Sequence, residues 1–148
     1  MSRTLMLAAG CLSLGFAAGP FAASQSRMIV TPIESAAFKP VDPARPNSAQ
    51  VAVLRGDPNS GPSSTLLRLA KGPTPLHVHS SDYDLVVISG EMKHWERGQS
   101  ETQAAVLGPG SYYFQPGDLV HAGACLTDEC LMYVQWSGRR DGRVPDAQ

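Results

Sequence analysis

Three histidines stand at spacings that could hold one metal ion. His77 and His79 flank Val78, so on a β-strand both imidazoles point to one face and Val78 to the other. His121 follows a Pro-Gly turn at 116–117, at the start of another apolar stretch. Three neutral imidazoles would form a facial site with open positions for a first-row metal, with bonds of about 2.0–2.2 Å. On spacing alone, two surface histidines and one core histidine are the simpler interpretation.

The elements that position these histidines are expected to follow an export signal. Arg3 supplies a basic start, residues 5–18 form an apolar run without charge, and small residues at 22–24 suit a signal peptidase. The run is shorter than the ~20 residues that span a bilayer, which disfavours a membrane anchor. Residues 1–24 are therefore predicted to be a signal peptide, and the protein to be periplasmic or secreted. A short buried helix and a lipid attached at Cys11 are the weaker alternatives.

Composition narrows the class of protein further. A chain of 148 residues fits one domain. A formal charge of −1 gives no strong field of one sign, which disfavours binding to nucleic acid or, after signal cleavage, to a membrane. With 43% hydrophobic residues, 14 Gly and 12 Pro, the sequence predicts a compact, turn-rich β protein.

Short apolar runs separated by turn residues predict seven to nine strands and no helix. The runs are 51–54, 65–70, 76–79, 85–89, 91–95, 104–107, 111–115, 119–122 and 131–136. Regular spacing of such strands favours a sandwich or a closed barrel. We assign the barrel to 49–138, an extended Pro-rich arm to 25–48 and a tail to 139–148. The arm is a candidate to wrap a neighbouring copy in a homodimer.

Two cysteines lie close together near the end of the predicted barrel. Cys125 and Cys130 are separated by a polar tetrapeptide and flanked by apolar stretches. In an oxidising compartment this arrangement favours a disulfide bond that closes the turn. Two unpaired thiols, one of them buried, are the alternative.

Two segments resemble the signature motifs of the cupins, a superfamily of small jelly-roll barrels. The segments 72–90 and 110–125 occur in the family's order, and the resemblance covers 51–136. It is closest to small single-domain bacterial cupins that carry the run LGPGSYYFQP at 107–116. It implies an all-β cupin jelly roll in which His77, His79 and His121 bind one divalent transition metal: Zn, Fe, Mn, Ni or Cu.

The chain departs from the cupin pattern at the usual glutamate ligand. That position falls on Tyr83 or, with a longer spacing, on Asp84. Tyr83 keeps the inward alternation of its strand, whereas Asp84 would need a bulge to turn inward. We favour a three-histidine site with Tyr83 lining the cavity, and keep Asp84 as the alternative ligand. His94 is a further candidate for proton transfer, or else a core or surface histidine.

The functional hypothesis is an exported small cupin whose metal binds a small oxygen-rich molecule. Oxygenase, isomerase and lyase chemistry all fit open coordination positions. Tyr83, Asp84 and His94 are the candidate catalytic residues. The alternative is a metal- or ligand-binding sensor module without turnover.

Overall fold

A computed structural model of the protein describes residues 27–145. It contains a short 3-10 helix, Ile33–Ser35, and seven strands. The strands are β1 (Lys39–Pro40), β2 (Gln50–Gly56), β3 (Ser63–His77), β4 (Tyr83–Ser89), β5 (Met92–Glu96), β6 (Tyr112–Gln115) and β7 (His121–Trp136). The prediction of an all-β fold is confirmed. Within 27–145 no helix is long and apolar enough to cross a membrane.

β7 is the strand around which the sheet is built. The strand order is β1-β2-β3-β7-β4-β6, with β5 also paired to β7, and all pairs are antiparallel. β3 runs along β7 from the pair Ser63↔Trp136 to the pair His77↔His121. The second half of β7 pairs with β4, and its first half pairs with β5. Strands far apart in sequence are thereby aligned on one ladder.

Two pairs of predicted strands prove to be single long strands. The runs 65–70 and 76–79 are joined in β3, and 119–122 and 131–136 are largely joined in β7. The intervening Gly and Pro residues indicated breaks. In the structure, register shifts at Ala70/Gly72 and Thr74/His77 place these residues at irregular points of the ladder, where a missing N–H is tolerated.

The run 104–107 forms no strand. The backbone N–H of Ala104 donates to the carbonyl oxygens of Ser100 and Glu101, at 3.1 and 3.3 Å, which closes a turn. Only Leu107 reaches the sheet, through an isolated bridge to Met92. The local turn hydrogen bonds therefore replace the ladder that the apolar residues indicated.

The core follows from the alternation of side chains along β4. Tyr83, Leu85 and Val87 are buried, while the residues between them are half-buried. They pack against the buried residues of β7, which include Met132, Val134 and Trp136. This alternation fixes which face of β4 points inward.

The predicted disulfide is present. Cys125 and Cys130 are bonded, with their Cα atoms 5.8 Å apart. Between them β7 bulges, since Ala70 pairs with Glu129 while Gly72 pairs with Cys125. The bond thus closes a bulge within one strand rather than a turn between two strands.

The segments outside the predicted barrel also carry structure. The predicted signal peptide lies outside the described residues, and 27–30 are exposed without regular structure. Within the arm predicted for 25–48, β1 pairs with β2. In the predicted tail, Arg143 and Val78 exchange two backbone hydrogen bonds of 3.1 Å.

Candidate metal centre

The structure brings the three histidines together. His77 ends β3 and pairs with His121 at the start of β7. His79 lies two residues after His77, just beyond the end of β3. The ring centroids of His77 and His121 are 4.2 Å apart, and that of His79 lies 4.9 and 5.3 Å from them. One potential ligand nitrogen from each ring lies within 4.8 Å of the other two. The ladder between β3 and β7 therefore creates a cluster that the sequence divides between two distant segments.

Each imidazole is held by a backbone carbonyl at Nδ1. His77 Nδ1 lies 2.8 Å from the Pro75 oxygen and His121 Nδ1 lies 2.9 Å from the Leu119 oxygen. His79 Nδ1 bonds in the same way to the Asp141 oxygen. A carbonyl only accepts, so each Nδ1 carries the proton and each Nε2 keeps a free lone pair.

Burial keeps these rings neutral. It lowers the pKa of His79 to about 4 and that of His121 to about 3. It also lowers the pKa of His77. His121 is completely buried. Since only the neutral imidazole binds a metal, this environment suits ligation without prior loss of a proton near neutral pH.

The donor set fits a divalent transition metal. Three neutral nitrogens on one side leave other coordination positions open, as in catalytic sites. Carbonyls that orient Nδ1 are the usual support of metal-binding histidines. Among residues 27–145, these three histidines are the one group of His, Cys, Asp and Glu side chains close enough to share an ion.

Tyr83 takes the inward position that the sequence favoured for it. Its hydroxyl lies 3.4 Å from His121 Nε2, and its side chain is buried. The ring packs against Trp136, with centroids 4.6 Å apart. Burial raises the pKa of Tyr83 to about 12, so the phenol is neutral. Tyr83 therefore presents a hydroxyl group beside the free nitrogen of His121.

Asp84 is not brought to the cluster. The register of β4 with β6 is regular through the pairs Tyr83↔Gln115 and Asp84↔Phe114. No bulge turns Asp84 inward, and its carboxylate accepts a hydrogen bond of 2.5 Å from the hydroxyl of Tyr112 on the outer face. The alternative in which Asp84 replaces the glutamate ligand thus lacks the bulge that it required.

His94 lies inside, beside the cluster. Its ring stacks on Tyr113 with centroids 4.1 Å apart, and lies 4.9 Å from that of His121. Gln115 donates from Nε2 to the Pro116 and Leu119 oxygens, which leaves Oε1 to accept from His94 Nε2 at 2.7 Å. His94 Nδ1 is consequently the unprotonated nitrogen, and burial lowers the pKa of the ring.

A cavity of about 310 Å³ adjoins the cluster. Its walls are mainly aliphatic and aromatic side chains of β2, β3, β4 and β7. Its polar lining includes His77, His79, Tyr83, His94, Arg140 and Asp141. A mostly apolar cavity with a few convergent polar groups is typical of a small-molecule site.

No pattern in the sequence points to two parts of this site. Gln115, which orients His94, lies in the run 111–115, which is predicted as a strand and as part of a cupin-like motif but not as part of the site. Residues 140–142 lie in the predicted tail, where no spacing linked them to the histidines. Asp141 contacts His79 and holds Ser80 through hydrogen bonds of 2.9 and 2.8 Å. Side chains brought in by the last segment could be found only from the fold.

The solved structures that this chain resembles are cupins. An RmlC-like cupin from Shewanella frigidimarina superposes with a TM-score of 0.60 at 18% identity, covering 78% of this chain and 95% of that one. The DMSP lyase DddQ from Ruegeria pomeroyi superposes with a TM-score of 0.60 at 15% identity, covering 81% and 72%. At these identities the likeness establishes the fold, and the predicted cupin jelly roll is confirmed.

Sequence comparison gives two further matches. The family model described as "Domain of unknown function (DUF4437)" matches residues 16–142. The DNA damage-repair/toleration protein DRT102 of Arabidopsis thaliana is 32% identical over 81 residues, which are 54% of this chain. The matched part of this chain spans 25% of that protein's length.

Proposed function

The chain belongs to the DUF4437 family and has the cupin fold, and on that premise we propose that it is an exported metal-dependent enzyme for a small oxygen-rich molecule. One divalent transition metal is held by His77, His79 and His121. Bound there, the metal would supply Lewis-acid or redox chemistry at its open positions.

The observation that carries this proposal is the shared orientation of the three imidazoles. All three Nδ1 atoms are engaged by backbone carbonyls, and potential ligand nitrogens converge within 4.8 Å. Surface histidines have no reason to share this arrangement, whereas a metal site requires it. The same arrangement would let the protein bind metal before its substrate arrives.

Two side chains are placed to handle protons next to the substrate. Tyr83 offers a neutral hydroxyl near His121 Nε2, and His94 offers an unprotonated Nδ1 fixed by Gln115. The walls of the cavity are mainly apolar, and polar contacts are stronger in such surroundings than in water. This division of roles suits an isomerase, in which a proton leaves one atom and is returned to another, or a lyase, in which a base removes a proton while the bond to a leaving group breaks. The similar DMSP lyase supports the lyase class among these.

Export is the second part of the proposal. A disulfide bond between Cys125 and Cys130 suits an oxidising compartment. The apolar run at 5–18 supports removal of residues 1–24 and release to the periplasm or the medium. Detection of a mature chain that begins near residue 25 in the periplasmic fraction would test this part.

A sensor or binding module without turnover is the second candidate function. It is favoured by the lack of a carboxylate in the cluster formed by the described residues. It retains the metal and the ligand but involves no proton transfer.

Elemental analysis tests the metal proposal directly. We expect about one transition metal per wild-type chain, and loss of nearly all of it in His77→Ala and His121→Ala. His94→Ala is the matched control, because it removes an imidazole from the same cavity but outside the ligand set, and it should keep the metal. Stoichiometric metal in either ligand variant would refute the assignment. Metal-loaded protein that neither converts nor oxidises diketones, catechols or flavonoids would favour the binding module.

A further inference from the structure

The segment after β7 carries three arginines, and they differ in their partners. Arg139 Nη2 lies 3.4 Å from Asp141 Oδ2, and Arg143 Nη2 lies 2.9 Å from Asp118 Oδ1. Arg140 has no carboxylate within 4 Å among residues 27–145. It is also the arginine that lines the cavity. Two of the three arginines thus pair with a carboxylate, whereas the third lines the cavity and has no such partner in the part of the chain that the structure describes.

Arg140 is held in place by its backbone and its neighbour. Its N–H donates to the Pro58 oxygen at 2.7 Å. The next residue, Asp141, binds Ser80 through both carboxylate oxygens and contacts His79 through its carbonyl. A side chain on such an anchored backbone loses less entropy when it binds a ligand than one on a free tail.

Arg140 lies beside the metal centre. The next residue, Asp141, bonds through its backbone carbonyl to His79. Arg140 itself is half-buried, and burial lowers its pKa. Arg140 therefore places a cation close to the histidine cluster in an environment where an unpaired charge is unfavourable.

The remaining titratable groups of the cavity do not neutralise Arg140. His77, His79 and His94 carry no negative charge in either protonation state, and the phenols of Tyr83 and Tyr113 are ordinarily protonated near neutral pH. The carboxylate of Asp141 is engaged by Ser80 and Arg139. Within residues 27–145, Arg140 is thus a cation without a carboxylate partner on mainly apolar walls.

We propose that Arg140 is the residue that determines substrate class, and that it binds the carboxylate of a small, mostly apolar organic acid whose other end reaches the metal centre. Only the part of this inference that places the other end of the acid at the metal rests on the proposed function. A guanidinium binds a carboxylate through two parallel N–H···O bonds, so it selects both charge and orientation. The apolar walls accommodate the body of the molecule.

Binding of matched acids and amides tests this inference. The probes are benzoate with benzamide, and 3-methylbutanoate with 3-methylbutanamide, measured by calorimetry on metal-loaded and on chelator-treated protein. In both forms, we expect Arg140→Met to lower the ratio of carboxylate to amide affinity about 10-fold or more. Arg140→Lys should keep part of the preference, because it retains the charge without the fork of donors.

Arg139→Met is the matched control. It removes the same charge from the adjacent residue, whose side chain is 61% exposed and paired with Asp141, and should leave the ratio unchanged. An unchanged ratio in Arg140→Met, an equal loss in Arg139→Met, or no binding of either acid by the wild type would refute the inference. The chelator-treated protein separates the two proposals, because a preference that depends on Arg140 is measurable there even if elemental analysis finds no metal.

Discussion

The two ends of the β3–β7 ladder differ in what their polar groups contact. At the disulfide end, defined by Gly90, Cys125, Thr127 and Cys130, polar and sulfur atoms are bonded to one another or to backbone. At the metal end, defined by His77, His79, Tyr83 and His121, each imidazole has its Nδ1 bonded to a backbone carbonyl, and the only Nε2 contact among the described residues is the 3.4 Å hydrogen bond from Tyr83 to His121. At the disulfide end the polar groups are bonded within the protein and stabilise the fold. At the metal end, imidazole nitrogens remain available to bind a ligand. Stability and binding should therefore be separable by mutation.

Close packing at the disulfide end centres on Gly90. A Cβ atom at this position would lie 2.4 Å from the Glu129 oxygen and 2.9 Å from Cys130 Cα. The backbone has φ +82°, which L side chains rarely adopt. Thr127 Oγ1 completes the contact by accepting from the N–H of Glu91 at 3.1 Å. These contacts pack the turn between β4 and β5 tightly against the bulge of β7.

Gly90→Ala should give the largest loss of stability. A positive φ costs about 1–2 kcal/mol with a side chain, and the overlap with backbone atoms about 1–3 kcal/mol more. We expect a loss of about 2–5 kcal/mol in the free energy of unfolding, measured by urea denaturation, with metal stoichiometry unchanged in the folded fraction. Loss of metal from folded Gly90→Ala protein would show that the two ends are coupled. Gly110→Ala is a useful control, because it also has positive φ but nothing within 4 Å of an added Cβ.

Removal of the disulfide bond should have the next largest effect. A loop with a sequence separation of 5 restricts the unfolded chain only modestly, so the double variant Cys125→Ser/Cys130→Ser should lose about 2 kcal/mol. Chemical reduction of the wild type should lower its thermal midpoint in the same direction. The metal content of both samples should equal that of the oxidised wild type. A reduced protein that releases its metal would contradict the separation of the two ends.

Sequence patterns predict the parts of this molecule that depend on alternation. The inward side of β4, with Tyr83, Leu85 and Val87, follows from period-two burial, and so does the common face of His77 and His79. His121 is a candidate from its place after a Pro-Gly turn, and the resemblance to the cupin motifs implies that it joins the other two; it lies opposite His77 in the ladder. These features are local, or are repeated across a family of folds.

The features that sequence patterns miss depend on distant packing. The bulge of β7 resembles a turn in the sequence, because its polar residues 127–129 lie between apolar stretches. Only the partner strand β3 shows that the ladder continues past it. In the same way, Arg140 enters the cavity because its segment pairs with Val78 and contacts the 57–62 loop, and neither contact leaves a periodic signal.

Tyr83 and Asp84 are neighbours whose side chains point to opposite faces of β4. Substitutions at these two residues should have the smallest effect on stability. Tyr83→Phe removes a hydroxyl 3.4 Å from His121 Nε2 but keeps the packed ring, so the free energy of unfolding should fall by less than about 1 kcal/mol. Metal stoichiometry should be retained, and turnover or ligand affinity should change, because a proton donor facing the cavity is lost.

Asp84→Asn is the control, since its partner is Tyr112 on the outer face, and it should alter neither metal content nor turnover. Loss of metal from Asp84→Asn would show instead that the Asp84 carboxylate is a metal ligand. Unchanged ligand binding and turnover in Tyr83→Phe would limit the functional role of the metal end to its three histidines.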